Sequence, residues 1–249
     1  MSGDFKGLTA VVSGAGSGIG LAVARSLHAQ GAKVFGLDLN EGEMSKVATW
    51  IACDVGDSAH VIAAFKHIGA ETDTIDILIN NAGIGAIGSV EDATDEEWMR
   101  VLNINVIGIS RVSKAAMPFL RKSSSASIVN TCSIAATVGL PNRAIYSASK
   151  GAVLSLTLAM AADGVKEKIR VNCVNPGTAD TPWIGRLLAK AADPIAERER
   201  LQARQPIGRL VSPEEVASAI IYLANPAQQS TTGTALDVDG GMHGLRLPH

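Results

Sequence analysis

The amino-acid sequence predicts an α/β fold, a single-domain doubly wound parallel sheet of about seven strands with helices on both faces. Three observations support this: short β-branched runs alternate with helical patterns, the runs are apolar almost throughout, and no linker or internal repeat divides residues 1–249. A strand that is apolar along its whole length is buried on both faces, which is typical of a parallel sheet covered by helices. The chain is long enough for one such domain.

Helix signals separate the predicted strands. Gly31 is placed to end the first helix, and Thr94 with Glu97 is placed to begin a long helix after the fourth strand. Ser212 with Glu215 forms another capping pair. The predicted strands are residues 8–13, 32–38, 50–54, 75–80, 127–132, 169–175 and 235–238.

Composition excludes several classes of protein. The 22 Lys and Arg residues are dispersed and the net charge is −2, so a nucleic-acid partner is not expected. No apolar run approaches the ~18 to 20 residues that span a bilayer, and the first residues lack a signal-peptide pattern. Cys53, Cys132 and Cys173 lie in apolar runs and are expected to be buried, reduced thiols. We therefore expect a cytoplasmic protein with no membrane partner, and no histidine cluster suggests a metal site.

A glycine-rich turn follows the first predicted strand and opens a helix. Gly14 permits the tight turn, Gly18 lets the main chain approach a pyrophosphate, and Gly20 allows close packing of helix and strand. Glycine patterns are common, but this position in the first βα unit is typical of a dinucleotide site.

Asp38 ends the second predicted strand, eighteen residues after Gly20. A carboxylate there would accept hydrogen bonds from the adenosine ribose and repel a 2′-phosphate. No Lys or Arg adjoins Asp38, so NAD is favoured over NADP as the cofactor. The alternative is that Asp38 only caps a turn.

Four residues predict chemistry at a carbinol carbon. Lys150 lies one helical turn after Tyr146, where its ammonium would favour the phenolate form and make tyrosine a usable base. Ser133 closes the fifth strand and can hydrogen-bond the same substrate oxygen. Asn105 lies within a predicted helix, and its amide could hold a water that links Lys150 to solvent. Each residue also has a structural interpretation. Tyr146 and Lys150 could be a chance pair on a helix surface, Ser133 could cap the end of a strand, and Asn105 could satisfy a buried carbonyl.

With these motifs, the chain resembles the short-chain dehydrogenase/reductase family from about residue 8 to residue 241. The resemblance implies a Rossmann fold, with Tyr146 as general acid/base and Lys150 as its partner and ribose ligand. It also implies Ser133 as the group that polarises the substrate and Asn105 as the anchor of a proton relay. The matching motifs are the glycine turn, Asn80-Asn81-Ala82-Gly83, Asn105, Ser133, Tyr146-x-x-x-Lys150 and Asn175-Pro176-Gly177 with Thr181.

The resemblance also implies a set of residues that bind NAD. Asp54 and Val55 would flank the adenine, residues 81–83 would line the adenosine side, and residues 176–181 would hold the nicotinamide. Family members are commonly homotetramers. One departure is the short stretch 39–49, which has room for barely one helical turn and leaves that sheet edge thinly covered. The implied NAD-binding set is Gly14, Ser17, Gly18, Ile19, Gly20, Asp38, Asp54, Val55, Asn81, Ala82, Gly83, Tyr146, Lys150, Pro176, Gly177, Thr178 and Thr181.

The helix predicted at residues 152–162 is apolar nearly all the way round, with Ser155 and Thr157 as its only polar side chains. A helix outside a sheet needs a second surface to cover such a face. We therefore expect a subunit interface there. The alternative is that the chain's own flap covers it.

Residues 180–210 are expected to form a helical flap over the pocket. Arg143, Trp183 and Arg186 are predicted to contact the substrate, together with Ser133 and Tyr146. A guanidinium binds a carboxylate through two hydrogen bonds and an indole covers a sugar-like face, so an acidic polyol derivative is expected.

The flap resembles that of dehydrogenases that use NAD to oxidise the C4 hydroxyl of 2-keto-3-deoxy sugar acids, such as 2-keto-3-deoxy-L-fuconate, in L-fucose and L-rhamnose breakdown. The function expected is oxidation of such a secondary alcohol. Alternatives within enzymes are a 3-hydroxybutyrate-type or other hydroxy-acid or sugar dehydrogenase, and a 3-oxoacyl carrier-protein reductase. The alternative outside enzymes is an NAD-sensing regulator.

Overall fold

The computed structural model describes residues 4–189 and 191–247, in which seven strands form one parallel sheet. They are β1 (Thr9–Ser13), β2 (Lys33–Asp38), β3 (Thr49–Ala52), β4 (Ile77–Asn80), β5 (Ser127–Thr131), β6 (Arg170–Pro176) and β7 (Ala235–Val238). Their order is β3-β2-β1-β4-β5-β6-β7. The chain thus builds outward from β1 in one direction and then from β4 in the other, which confirms the doubly wound fold.

Helices cover both faces of this sheet. On one face α1 and α8 pack together through Val23, Leu27 and Ile220, all fully buried. On the other face α2 and α4 contribute Ile68 and Leu120 to a second core. The helices are α1 (Gly18–Ala29), α2 (Ser58–Glu71), α3 (Asp95–Leu102), α4 (Gly108–Leu120), α5 (Ala144–Gly164), α6 (Pro182–Leu188), α7 (Pro194–Ala203) and α8 (Pro213–Ala224).

The long helix predicted after Thr94 is divided by a π-helical turn. The hydroxyl of Thr94 accepts a hydrogen bond from the Glu97 amide at 3.3 Å, which begins α3. Residues Asn103–Ile107 then form the π turn, and α4 follows directly. A π turn inserts one residue into the helical repeat and is frequent at functional sites.

The connection between β2 and β3 forms turns instead of a helix. Met44 covers the sheet in its place: the side chain is fully buried, and a Cβ added at Gly36 would lie 2.3 Å from its sulfur. The Trp50 indole donates to the Asp38 carbonyl at 3.2 Å and stays partly exposed. One methionine therefore fills the space that a helix fills elsewhere.

Helix α5 has a buried face and an open face. Val153 and Thr157 are fully buried, whereas Leu158 is 50% exposed. The flap helices α6 and α7 contribute side chains to the cleft described below. By length and composition alone Ala144–Glu167 would suffice to cross a membrane, but the inner face of α5 packs on the sheet and carries Lys150.

Candidate active site

A cleft lies at the carboxyl ends of β1, β4, β5 and β6, where the strand order reverses. This switch point is where open α/β sheets bind ligands. The helices α6 and α7 form one side of the cleft. Of the predicted site residues, those that line it are Gly14, Ser17, Gly18, Ile19, Asp38, Asn81, Ala82, Gly83, Ser133, Arg143, Tyr146, Lys150, Pro176, Gly177, Thr178, Thr181, Trp183 and Arg186.

The glycine turn is shaped by close approaches of the main chain. Gly14 and Gly18 have φ values of +67° and +54°, which favour glycine. A Cβ at Gly14 would lie 2.9 Å from the Ala82 Cα. Gly20 does not line the cleft: a Cβ there would lie 2.1 Å from the Gly14 carbonyl oxygen, so Gly20 lets α1 pack against the turn.

Short polar contacts hold the ends of three strands together behind this turn. The Ser13 hydroxyl accepts hydrogen bonds from the amides of Asn81 at 3.0 Å and Ala82 at 3.1 Å. The Asn81 amide group donates to the carbonyls of Ser13 and Gly14, each at 3.2 Å. Thr131, at the end of β5, donates its hydroxyl to the Asn81 side chain at 3.2 Å. The polar edge of the cleft is therefore held by contacts within the protein itself.

Asp38 faces the cleft and also caps the glycine turn. Its Oδ2 accepts from the Gly16 amide at 2.9 Å, and its Oδ1 accepts from the Asn40 amide at 3.3 Å. In this one position, Asp38 can both cap the turn and face a ligand in the cleft.

Asp54 and Val55 lie after β3, outside the cleft lining. The Asp54 Oδ1 accepts from the Gly56 amide at 2.7 Å. Val55 is buried, and its carbonyl accepts from Arg111 at 3.3 Å. Their contact with an adenine stays a prediction.

Ser133, Tyr146 and Lys150 come together on one wall. The Lys150 ammonium is buried, donates to the Thr131 carbonyl at 2.8 Å and lies 5.8 Å from the centre of the Tyr146 ring. The Ser133 hydroxyl accepts from the Ala135 amide at 3.1 Å and begins a short 3₁₀ turn, Ile134–Ala136. Because the Ser133 hydroxyl acts only as the acceptor in that hydrogen bond, the hydroxyl proton remains available for a substrate oxygen.

Asn105 sits in the π turn, fully enclosed by protein. Its Oδ1 accepts from the Ile84 amide at 2.8 Å, and its Nδ2 donates to the Ile84 carbonyl at 2.9 Å and the Ser149 hydroxyl at 3.1 Å. Both amide hydrogens are thus used within the protein, as in the interpretation that this side chain satisfies a buried carbonyl. Its place in a proton relay stays a prediction.

Three arginines and a tryptophan form the mouth of the cleft. The Trp183 indole lies against Gly85, where a Cβ would be 2.5 Å from the indole Cζ2. Arg143 is half-buried, whereas Arg186 is exposed. Burial lowers the pKa of the Arg143 guanidinium, and the charge of Arg204 lowers it further.

Arg204 is not among the residues that the sequence predicts to contact the substrate. This half-buried residue follows α7 and lines the same cleft as Arg143, and burial also lowers the pKa of its guanidinium. The nearby carboxylate of Glu197 is held by two hydrogen bonds from Arg200, at 2.7 and 2.9 Å. The one signal in the sequence is that Arg204 lies in the predicted flap. A position in the flap does not by itself show whether the side chain faces the cleft.

The three cysteines are free and buried. Cys132 lines the cleft, and its thiol donates to the Lys150 carbonyl at 3.2 Å. Hydrogen bonding between Cys132 and Cys173 lowers the pKa of the first thiol and raises that of the second.

Comparison with known sequences finds relatives over nearly the whole chain. A family model described as Enoyl-(Acyl carrier protein) reductase matches residues 14–243. 2-(S)-hydroxypropyl-CoM dehydrogenase 3 of Xanthobacter autotrophicus is 38% identical over 253 residues, covering 97% of this chain and 99% of that protein. Cis-4-hydroxycyclohexanecarboxylate dehydrogenase of Sinomonas cyclohexanicum is 39% identical over 251 residues, covering 97% and 98%.

Solved structures of similar fold include a ligand-free and a cofactor-bound enzyme. The aldohexose dehydrogenase of Thermoplasma acidophilum superposes with a TM-score of 0.92 at 34% identity, covering 100% of both chains. The 3-ketoacyl-(acyl-carrier-protein) reductase of Brucella melitensis, complexed with NADH, gives a TM-score of 0.86 at 33% identity, covering 96% of this chain and 99% of that one.

Proposed function

The chain belongs to the short-chain dehydrogenase/reductase family, and we propose that it is an NAD-dependent dehydrogenase that oxidises a secondary alcohol on a small acid. One observation carries the proposal: Tyr146, Lys150 and Ser133 share a wall of the cleft whose other end is the glycine turn. The residues there fit a dinucleotide, because added side chains at Gly14 or Gly18 would meet the chain or strain its positive φ. When bound, the nicotinamide would accept the hydride.

The protein's own residues handle the proton. Tyr146 takes it from the substrate hydroxyl, and the buried Lys150 ammonium stabilises the phenolate that accepts it. Ser133 donates a hydrogen bond to the same substrate oxygen as the alcohol becomes a carbonyl. The Thr131 carbonyl accepts a hydrogen bond from the ammonium at 2.8 Å and so fixes the position of the charge.

The preference for NAD over NADP rests on Asp38. Its carboxylate ends β2 beside the glycine turn, with no Lys or Arg within residues 37–40. An adenosine ribose there meets a hydrogen-bond acceptor, whereas a 2′-phosphate meets a like charge.

An acidic substrate is supported by the three guanidiniums at the mouth, Arg143, Arg186 and Arg204. We propose the C4 hydroxyl of a 2-keto-3-deoxy acid, such as 2-keto-3-deoxy-L-fuconate, as the first compound to test, and 3-hydroxybutyrate-type acids as the second. The Sinomonas relative is itself named for a hydroxy acid. Neutral sugars are the third group to test, because one solved structure of similar fold is an aldohexose dehydrogenase.

Assembly and location complete the proposal. The open apolar face of α5, with Leu158 half exposed, supports a subunit interface, and the family resemblance makes a homotetramer the assembly we propose. Sedimentation at micromolar concentration tests this, and a monomer there contradicts it. Three free thiols are consistent with the cytosol.

The variant Tyr146→Phe tests the mechanism. Turnover should fall by ~10²- to 10⁴-fold because the proton acceptor is lost, while the dissociation constant for NAD stays level. Tyr222→Phe, on the partly exposed surface of α8, is the matched control. Unchanged turnover in Tyr146→Phe would refute the mechanism.

A panel of compounds tests whether the substrate is an acid. NAD reduction is measured with 2-keto-3-deoxy acids, 3-hydroxy acids and neutral sugars, and NADPH oxidation with a 3-oxoacyl thioester. Reaction with neutral sugars alone refutes the role given to the arginines. NAD binding without turnover on any compound favours the regulator.

A further inference from the structure

One guanidinium joins the loop after β3 to the π turn. Arg111, on α4, donates its Nε to the Ser58 hydroxyl at 3.0 Å and its Nη1 to the Val55 carbonyl at 3.3 Å. The same side chain reaches Asn103 twice, donating to its carbonyl at 3.3 Å and to its Oδ1 at 2.7 Å. No carboxylate is among these four acceptors, so the contribution of this arginine is its fork geometry rather than an ion pair.

Two more contacts tighten the junction. The Asn103 amide group donates to the Gly56 carbonyl at 3.0 Å, and the Gly56 amide in turn donates to Asp54 at 2.7 Å. A Cβ at Gly108 would lie 3.0 Å from the Val55 side chain, so the start of α4 presses on the same loop. A displacement of this loop would therefore displace the π turn as well.

The π turn leads to the catalytic helix. Asn105 donates to the Ser149 hydroxyl at 3.1 Å, and that hydroxyl donates to the Tyr146 carbonyl at 2.8 Å. A path of hydrogen bonds and one helical turn thus runs from the loop after β3 to the residue proposed to take the proton.

We propose that Arg111 is a positioning residue that couples binding at the adenosine end of the cleft to the π turn, and through Asn105 to α5. This inference rests on the proposed function, because it requires the loop after β3 and the start of α2, residues 54–58, to contact the adenosine half of the dinucleotide. The π turn is the element that receives this coupling, because contacts on both of its sides hold it and such turns are frequent at functional sites. Binding at the loop fixes one of those sides.

Hydrogen exchange with ADP-ribose tests the coupling without turnover. This ligand carries the adenosine half of NAD and lacks nicotinamide. At saturation it should slow amide exchange at residues 103–107 roughly tenfold in the natural protein, because the π turn opens less often. In Arg111→Ala, ADP-ribose still binds but this protection disappears, and turnover falls while the KM for the alcohol stays level. Arg111→Lys does not restore it, since an ammonium cannot span both segments.

Controls separate the possible failures. Arg121→Ala, an exposed position at the end of α4 that pairs with Glu167, should leave the protection intact. Should Arg111→Ala fail to fold, Ser58→Ala removes one acceptor at an exposed site and should weaken the protection to roughly threefold. If ADP-ribose does not bind the natural protein, the proposed function fails. If it binds without protecting the π turn, or protects it equally in the folded Arg111 or Ser58 variant, only this inference is overturned.

Discussion

The two ends of the cleft are built by different means. At the dinucleotide end, main-chain geometry sets the shape: Gly14 and Gly18 have positive φ, and Gly20 has no room for a Cβ. At the substrate end, charged side chains on the flap and before α5 set it, with Arg143 and Arg204 half-buried. Excluded volume around the glycines determines the shape of the dinucleotide end, and the positions of charged side chains determine the substrate end.

This difference predicts which substitutions act on folding and which act on substrate choice. Excluded volume affects the folded state whether or not a ligand is present. A guanidinium at the mouth of a cleft matters mainly when an anion is bound. Changes at the dinucleotide end should therefore lower stability, and changes at the substrate end should raise KM with little effect on stability.

Gly20→Ala should have the largest effect on stability. A Cβ would lie 2.1 Å from the Gly14 oxygen, so α1 must move off the turn. We expect the free energy of unfolding to fall by ~3 kcal/mol, the upper end for overpacking, with weaker NAD binding. Urea denaturation and calorimetric titration measure both. Gly185→Ala is the control, because no atom of the residues that the structure describes lies within 4 Å of a Cβ there; equal stability of the two variants would break the comparison.

Arg204→Ala should act on the substrate instead. Loss of a charge-assisted hydrogen bond raises the KM for an acidic substrate by ~10- to 100-fold, with the midpoint of urea unfolding unchanged. Arg186→Ala is the matched change at an exposed position and should raise KM less than about threefold. Initial-rate kinetics on the best acid of the panel measure these values. Equal effects of the two variants would show that burial does not select the binding arginine.

Much of the fold was predictable because the signals are local. Apolar runs located all seven strands to within two residues at each end, and glycine at residue 31, with a φ of +93°, ends α1 as expected. The π turn was not predictable, since Asn105 is held there by Ile84, and Asn103 by Gly56, both distant in the sequence. Met44 covering the sheet at Gly36 depends on packing in the same way.

The candidate site divides along the same line. Tyr146 and Lys150 are one helical turn apart, so their spacing in the sequence already places them on one face. Arg111 carries no such signal, because its partners lie on other elements. Arg204 carries none either, because arginine is ordinary at the end of a helix. Asp54 and Val55 were assigned through family resemblance, and the cleft lining does not include them.

Asp38→Asn sharpens the comparison, because Asp38 is the acidic side chain that lines the dinucleotide end. The amide oxygen can still accept from Gly16, at 2.9 Å in the natural protein, while the charge is lost. We expect the ratio of kcat/KM for NAD over NADP to fall roughly tenfold, equivalent to about 1.4 kcal/mol. Asp38→Ala should lower the same ratio and also loosen the turn. An unaltered ratio in both variants would remove Asp38 from cofactor selection.

Glu215→Gln should have the smallest effect and tests how the flap is anchored. Glu215 accepts two hydrogen bonds from Arg209 at 2.7 and 2.9 Å and one from the Ser212 amide at 2.8 Å, just beyond the flap. Together these contacts lower the pKa of the Glu215 carboxyl to about 2. A carboxyl whose pKa is lowered on folding adds stability above its unfolded value near 4.5, and that stability is lost as pH falls toward about 2.

Because the Glu215 side chain is 42% exposed, water screens the pair, and we expect the variant to lose less than about 1 kcal/mol at neutral pH. The loss should shrink as pH falls below about 4.5, where the unfolded natural chain takes up a proton that the folded carboxyl does not, and KM should not change. Urea unfolding between pH 7 and pH 3 measures this, with Glu214→Gln in the same helical turn as control. A raised KM for the acidic substrate in Glu215→Gln would instead show that this anchor positions Arg204, and that charge and main-chain geometry are not separable at the substrate end.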